Sequence, residues 1–218
     1  SRFQKTRELD ASYAHLVLLC ENNQGYQNLI KIVSKSNLEG FYYKPRVDHE
    51  LLEQYHEGLI CLSACLGGEI PQLLLNGQYE EAKKLALWYE GVFGKDRYYL
   101  EVQDHGLPEQ KPVIDGLLRI HEETGIPLVA TNDAHYMRKS DAKAQKVLLY
   151  VQIKKTINEE CTMGFETDEF YVKSEEEMRS LFEYIPEACD NTVKIADMCN
   201  VSFKNLDDPD HKEYHLPD

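Results

Sequence analysis

The sequence has little that marks a secreted, membrane-bound or nucleotide-cradling protein. Its six cysteines, Cys20, Cys61, Cys65, Cys161, Cys189 and Cys199, contain no Cys-x-x-Cys pair. A chain of 218 residues with 42% hydrophobic content can bury a core without staples, so these read as reduced thiols of a cytoplasmic protein. No signal peptide is present. No apolar run approaches the roughly 18 residues a spanning helix needs, so no membrane partner is expected. Basic runs are absent as well. The formal charge is −14, from 38 acidic and 24 basic residues, which is no footprint for a nucleic-acid backbone and reads as a solvated surface. G-x-S-x-G, H-E-x-x-H and G-x-G-x-x-G do not occur, and Gly67–Gly68 lacks the lysine and hydroxyl of a P-loop. An initiating methionine is missing too. The chain begins "SRFQKTRELD" and is expected to be a piece of something larger.

What is present is a strand-then-helix rhythm. "HLVLLC" (15–20), "LICLS" (59–63), "RYYLEV" (97–102) and "IPLVAT" (126–131) read as buried strands. After the first, Tyr26, Leu29, Ile30 and Val33 are spaced as one face of a helix, with Asn22 or Asn23 as its cap and Gly40 beyond its end. Asp48 is placed to cap a short helix through Tyr55, and another short helix is expected around Ile70 to Leu75. "QYEEAKKLALWYEGVF" presents Ala82, Leu85, Ala86, Tyr89 and Phe93 to one side, and "PEQKPVIDGLLRIHEETG" is helical despite Pro112. Ser140 is placed to cap a further helix. Four strands alternating with helices predict an α/β architecture with a largely parallel sheet, whose chemistry gathers past the carboxyl ends of the strands.

From 157 onward the pattern changes. "FETDEFYV" reads as a short extended piece, "SEEEMRSLFEYI" as a capped helix stopped by Pro186, and "EACDNTVKIADMCN" as a last helix with Ala188, Thr192, Ile195, Ala196 and Cys199 on one side. A boundary is expected near 157: 1–156 an α/β domain, 157–218 a small helical extension, with "LDDPDHKEYHLPD" a loose polar tail.

The candidate site residues follow from the strand-end rule. In "VATNDAHYM", Asp133 and His135 stand two apart just past the fourth strand. On an extended backbone such residues point to the same side and can enter one pocket, where carboxylate and imidazole are donors for a divalent ion. The alternative is an aspartate capping the next turn beside a surface histidine. Cys65 is either a thiolate ligand or an inert buried thiol. His15 opens the first strand and falls at the wrong end if that strand runs parallel to the rest. His105 lies past the third strand, as a site residue or a turn histidine beside Gly106. "EGFYYKPRVD" (39–48) places aromatics beside Lys44 and Arg46, to stack on bases or to cover one end of a core.

Four long segments, "HLVLLCENNQGYQNLIKIVSKSNLEGFYYKPRVD", "EGLICLSACLGGEIPQLLLNG", "GIPLVATNDAHYM" and "FETDEFYVKSEEEMRSLF", resemble in order the polymerase-and-histidinol-phosphatase (PHP) domain of bacterial replicative DNA polymerase III alpha subunits. The resemblance runs from Ser1 to about Val201. It implies part of a distorted (β/α)7 PHP barrel followed by the helical extension, which leads toward a polymerase palm domain outside this chain. It implies metal-ligand positions at His15, Cys65, Asp133 and His135, with Asp133 and His135 also carrying catalysis. It thereby restores His15. The family's other ligand positions, an H-x-H pair, an Asp, a later D-H and a Glu, have no match here. Zinc, manganese or magnesium is therefore expected in the intact parent and weakly or not at all in this chain. The parent is expected to work in DNA replication with DNA and other replicase subunits, its PHP domain either structural or a metal-dependent 3′–5′ exonuclease. The chain alone should not polymerise, and exposed strand edges favour self-association. A stand-alone PHP phosphoesterase resembling histidinol phosphatase is the alternative.

Overall fold

Three of the strands point the same way, and that sets which loops meet. In the computed structural model, which describes residues 1–7, 13–156, 159, 164 and 166–203, the order is β1 (Val17–Cys20), α1 (Asn23–Leu38), α2 (His49–Tyr55), β2 (Leu59–Leu62), α3 (Glu69–Leu75), α4 (Tyr79–Phe93), β3 (Tyr98–Val102), α5 (Gln110–Thr124), β4 (Leu128–Ala130), a 3-10 turn (Lys139–Asp141), α6 (Ala142–Gln152), α7 (Glu175–Leu181) and α8 (Pro186–Met198). The strands lie in the sheet order β1-β2-β3-β4. Cys161 and the polar tail from 206 lie outside the described residues.

The chain divides into two compact units, one of Ser1–Ala11, Leu18–Ile60 and Ala196–Asp218, the other of Ser12–Val17 and Cys61–Ile195. In the larger unit β2 pairs parallel with β3 (Cys61↔Tyr98, Leu62↔Tyr99), and β3 pairs parallel with β4 (Leu100↔Leu128, Glu101↔Val129, Val102↔Ala130). Every residue of β2, β3 and β4 is buried, as parallel strands covered by helices require. α4 packs Tyr89 flat on Tyr98 of β3, with ring centres 5.3 Å apart, and the Tyr89 hydroxyl donates to Glu69 of α3 at 2.6 Å. α5 turns Val113, Ile114, Leu117 and Ile120 inward.

Two details of the last helices depart from the sequence expectation. Ser174 caps α7 through a reciprocal pair: its hydroxyl accepts from Glu177 N–H (3.2 Å) while Glu177 Oε2 accepts from Ser174 N–H (2.7 Å). But α7 ends at Leu181, before the proline, and Pro186 opens α8 instead. The first helical position needs no N–H and suits proline's fixed φ. The inner face of α8 holds Ala188 and Ile195 as expected, together with Asn191, whose amide donates to the Leu128 carbonyl of β4 at 2.7 Å. Ser140 caps nothing. Asp141 Oδ2 accepts from Arg138 N–H at 3.0 Å and closes the 3-10 turn ahead of α6.

In the smaller unit Asn22 caps α1, accepting from Gly25 N–H at 3.0 Å, and Asp48 caps α2, accepting from Leu51 N–H at 3.3 Å. Asp48 also accepts from the backbone N–H (2.9 Å) and guanidinium (2.9 Å) of buried Arg2, which reaches Glu39 at 2.8 Å as well. Burial raises the proton affinity of Asp48, and these donors outweigh it, so its carboxyl sits below the usual range. The inward face of α1 is not the apolar stripe expected. Ile30 and Val33 are 42% and 51% exposed, and the buried positions are Gly25, Asn28, Ile32 and Ser36. Close approach explains the inversion. A Cβ on Gly25 would stand 1.8 Å from the Gly58 carbonyl oxygen, and Asn28 donates to the Glu57 carbonyl at 2.9 Å. Small and hydrogen-bonding side chains let the helix lie against the turn that feeds β2.

Gly25→Ala is therefore expected to cost roughly 1–3 kcal/mol in urea unfolding, the range for overpacking. Ile30→Ala and Val33→Ala should stay within about 0.5 kcal/mol, as exposed substitutions do. A larger loss in Ile30→Ala than in Gly25→Ala would restore the apolar stripe as the packed face.

Candidate metal centre at the strand ends

β1 is laid down against the run of β2. Past the end of β1, Glu21 N–H donates to the Gly58 carbonyl just ahead of β2, at 2.9 Å. Ahead of β1, His15 N–H donates to the Gly67 carbonyl beyond the end of β2, at 2.8 Å. The beginning of β1 thus falls beside the carboxyl end of β2. The expectation that His15 lies at the wrong end assumed a parallel first strand, and the reversal removes the objection. His15 Nδ1 lies 3.4 Å from Cys65 Sγ, across fifty residues of sequence.

The loop that carries Cys65 is built under strain. Ala64 has φ 65°, a left-handed conformation disfavoured for residues with a Cβ. Its N–H donates at 2.9 Å to Oε2 of Glu101, a residue of β3 that is only 5% exposed. The other oxygen of Glu101 accepts from Thr131 Oγ1 (2.5 Å) and Gln103 Nε2 (3.1 Å). Burial pushes the Glu101 carboxyl up, these three donors pull it back in part, and nearby Asp133 adds to the rise. Burial likewise pushes the Cys65 thiol up; the Gly67 N–H opposes this, and the charges of Asp133 and Glu101 reinforce it.

Asp133 itself has φ 42°, a second strained position without glycine. The residue ahead of it is fixed from below by His105, which is 1% exposed. His105 N–H donates to Gln110 Oε1 at 2.7 Å, which orients the Gln110 amide. Gln110 Nε2 then donates to His105 Nδ1 at 2.7 Å. The ring proton must accordingly sit on Nε2, which donates to the Asn132 carbonyl at 2.7 Å. Phe170 stacks on the ring at 3.9 Å, and Asn132 Nδ2 donates to the carbonyls of Glu169 (3.2 Å) and Tyr171 (2.5 Å). His135 hangs its N–H on the Phe170 carbonyl at 2.8 Å, and its Nδ1 lies 2.7 Å from the Asp133 carbonyl oxygen.

The structure thus brings His15 and Cys65 together and sets Asp133 close enough to raise the thiol. It turns the Nδ1 of His135 to local backbone. Among the described residues no three His, Cys, Asp or Glu side chains gather to hold an ion. His15 and Cys65 by themselves suit one half of a tetrahedral site. Nitrogen and sulfur donors at about 2.0–2.1 and 2.3 Å from one ion stand roughly 3.5 Å apart. Glu101 and Gln110 were not singled out from the sequence. The only signal for Glu101 is one acid inside the otherwise apolar "YYLEV" of β3. His105 reads as a supporting group, with no exposed ring atom for a ligand to reach.

The PHP domain family matches residues 3–105. Over those residues the chain is similar to that class of domain. Among curated relatives it is 50% identical over 202 residues to the DNA polymerase III subunit alpha of Treponema pallidum, covering 92% of this chain and 17% of that protein. It is 45% identical to that of Borreliella burgdorferi and 46% identical to that of Thermus aquaticus, each over 100% of this chain and 19% and 18% of the relative. It is thus similar along its length to a part of these DNA polymerase III alpha subunits, and spans less than a fifth of the length of these relatives. Among the described residues no helix is long and apolar enough to cross a membrane.

Burial holds His105 below the ordinary imidazole range, against the pull of the Asn132 carbonyl. A depressed folded pKa means stability is fully present above about 6.5, the unfolded value, and is lost as pH falls through the folded one. His105→Phe keeps the stack on Phe170 and removes both titration and donor. It should cost about 1–3 kcal/mol near neutral pH, leaving a buried carbonyl unpaired. It should also flatten the fall in thermal stability below about pH 6.5. An unchanged acid slope in the variant would place that titration elsewhere.

Proposed function

We propose that this chain is the PHP part of a bacterial DNA polymerase III alpha subunit, in which a divalent metal held at the strand ends supports 3′–5′ cleavage of DNA. The observation that carries it is the 3.4 Å pairing of His15 with Cys65 at the edge where the strand-end loops meet. The gathering of Glu101, Asp133 and the Cys65 thiol supports it further. Asp133 raises the proton affinity of Glu101 and of Cys65, and Glu101 raises that of Cys65; a divalent cation would relieve that repulsion. In this reading His15, Cys65, Asp133 and His135 hold zinc, manganese or magnesium, with the remaining donors supplied from outside this chain. When bound, such an ion lowers the pKa of its water and steadies charge on a scissile phosphate. His15 and Cys65 would bind it, and His105 would hold the Asn132–Asp133 backbone in place beneath it. The four strands belong to a distorted (β/α)7 barrel, and 157–218 leads toward the palm domain. DNA and other replicase subunits are the partners, and the cytoplasm is the setting. The relatives' name favours this over a stand-alone phosphatase.

The test pairs the chain with a full-length alpha subunit carrying it. Metal content and 3′-end cleavage of single-stranded DNA are expected in the full-length protein, with weak or no metal and no cleavage in the chain alone. Cys65→Ser or Asp133→Asn should lower both in the full-length protein by tenfold or more, on the order of the 10–100-fold loss that even an outer-shell substitution brings. Equal metal and cleavage in both proteins would contradict the outside donors. The chain alone should give no template-dependent primer extension, and extension that depends on dNTP and magnesium would overturn this.

A further inference from the structure

We infer that Glu101 is a positioning residue that sets Cys65 and Asp133 relative to one another by tying the loops after β2, β3 and β4 to one buried carboxylate. The inference rests on reading Cys65 and Asp133 as site residues. The geometry is unusually complete. Oε2 takes the N–H of Ala64, the residue directly before Cys65. Oε1 takes the hydroxyl of Thr131, two residues before Asp133, and the amide of Gln103, just past β3. The Glu101 backbone N–H in turn donates to Ser63 Oγ at 2.8 Å. One side chain thus reaches a loop from each of the three parallel strands.

An apolar residue would fill this place at less cost if packing alone were needed, because burying a carboxylate is expensive unless it is fully paired. What the carboxylate adds is a fixed acceptor on each side. Ala64 at φ 65° and Asp133 at φ 42° are both held away from ordinary backbone conformations; Ala64 is itself a donor to Glu101, and Asp133 stands two residues past another, Thr131. Acceptors fixed on both sides suit the task of holding strained loops, because a buried donor left without one is costly. Glu101 touches no solvent-facing ligand position itself. It acts through Ala64 and Thr131.

Conservative substitution separates acceptor geometry from charge. In Glu101→Gln the carbonyl oxygen can stay on Ala64 N–H. The new NH2 can donate to Thr131 Oγ1 and to a flipped Gln103 amide. Glu101→Leu keeps the approximate size and offers no acceptor. The readouts are hydrogen exchange at the Ala64 and Asp133 amides and the alkylation rate of Cys65, mapped by peptide, in the metal-free full chain without DNA. Glu101→Leu is expected to speed Ala64 exchange and Cys65 alkylation by about tenfold or more, the scale of one buried donor left unpaired. Glu101→Gln is expected within about threefold of the parent chain. If the leucine variant does not fold, Thr131→Val serves on the other side. It should speed exchange at Asp133 and leave Ala64 unchanged. Equal effects of Gln and Leu would overturn the acceptor role. So would unchanged exchange at both amides in Glu101→Leu or, where that variant does not fold, unchanged Asp133 exchange in Thr131→Val. Because no metal or nucleic acid enters the measurement, failure of the cleavage reading leaves this result standing, and the reverse holds as well.

Discussion

Parallel pairing of β2, β3 and β4 is the constraint from which the strand-end edge follows. Parallel strands put their carboxyl ends on one side, so the loops after Leu62, Val102 and Ala130 are neighbours whatever their sequence. β1 runs the other way and delivers its beginning to that same edge. His15, Cys65, His105 and Asp133 come from four separate stretches of the chain and owe their common placement to these strand directions.

The edge is rich in groups that resist carrying charge where they stand. Glu101 and Cys65 are both pushed toward their protonated forms by burial, and Asp133 adds to each. His105 is held neutral with its proton on a defined nitrogen. Hydrogen bonds therefore do the aligning. Two strained residues, Ala64 and Asp133, sit at the junction of these roles. Backbone strain persists where its surroundings overdetermine it, and here a buried carboxylate and a buried imidazole flank it.

Much of this was legible in the residues. The four strands, the Asp48 and Ser174 caps, a cap for α1 at Asn22 or Asn23, and the parallel run of three strands follow from apolar runs and capping chemistry that act locally. The face of α1 was not legible, because periodicity counts apolar residues, and this helix packs with Gly25, Asn28 and Ser36 against a turn. The direction of β1 was not legible either. A four-residue strand carries no mark of its own polarity, and only long-range hydrogen bonds set it. Resemblance to the PHP family restored His15 where pattern alone had set it aside. Glu101 and Gln110 were passed over because their partners lie 37, 30 and 5 residues away, and no spacing rule links them.

The central claim is that a reversed first strand sets the His15 ring beside Cys65. Nuclear Overhauser contacts from the His15 ring protons in the metal-free chain test it most directly. Cross-peaks to the Cys65 β-protons and to Gly67 are the predicted result, given the 3.4 Å approach of nitrogen to sulfur. Cross-peaks instead to Gly58, ahead of β2, would mean that β1 runs with its neighbour and would contradict the account.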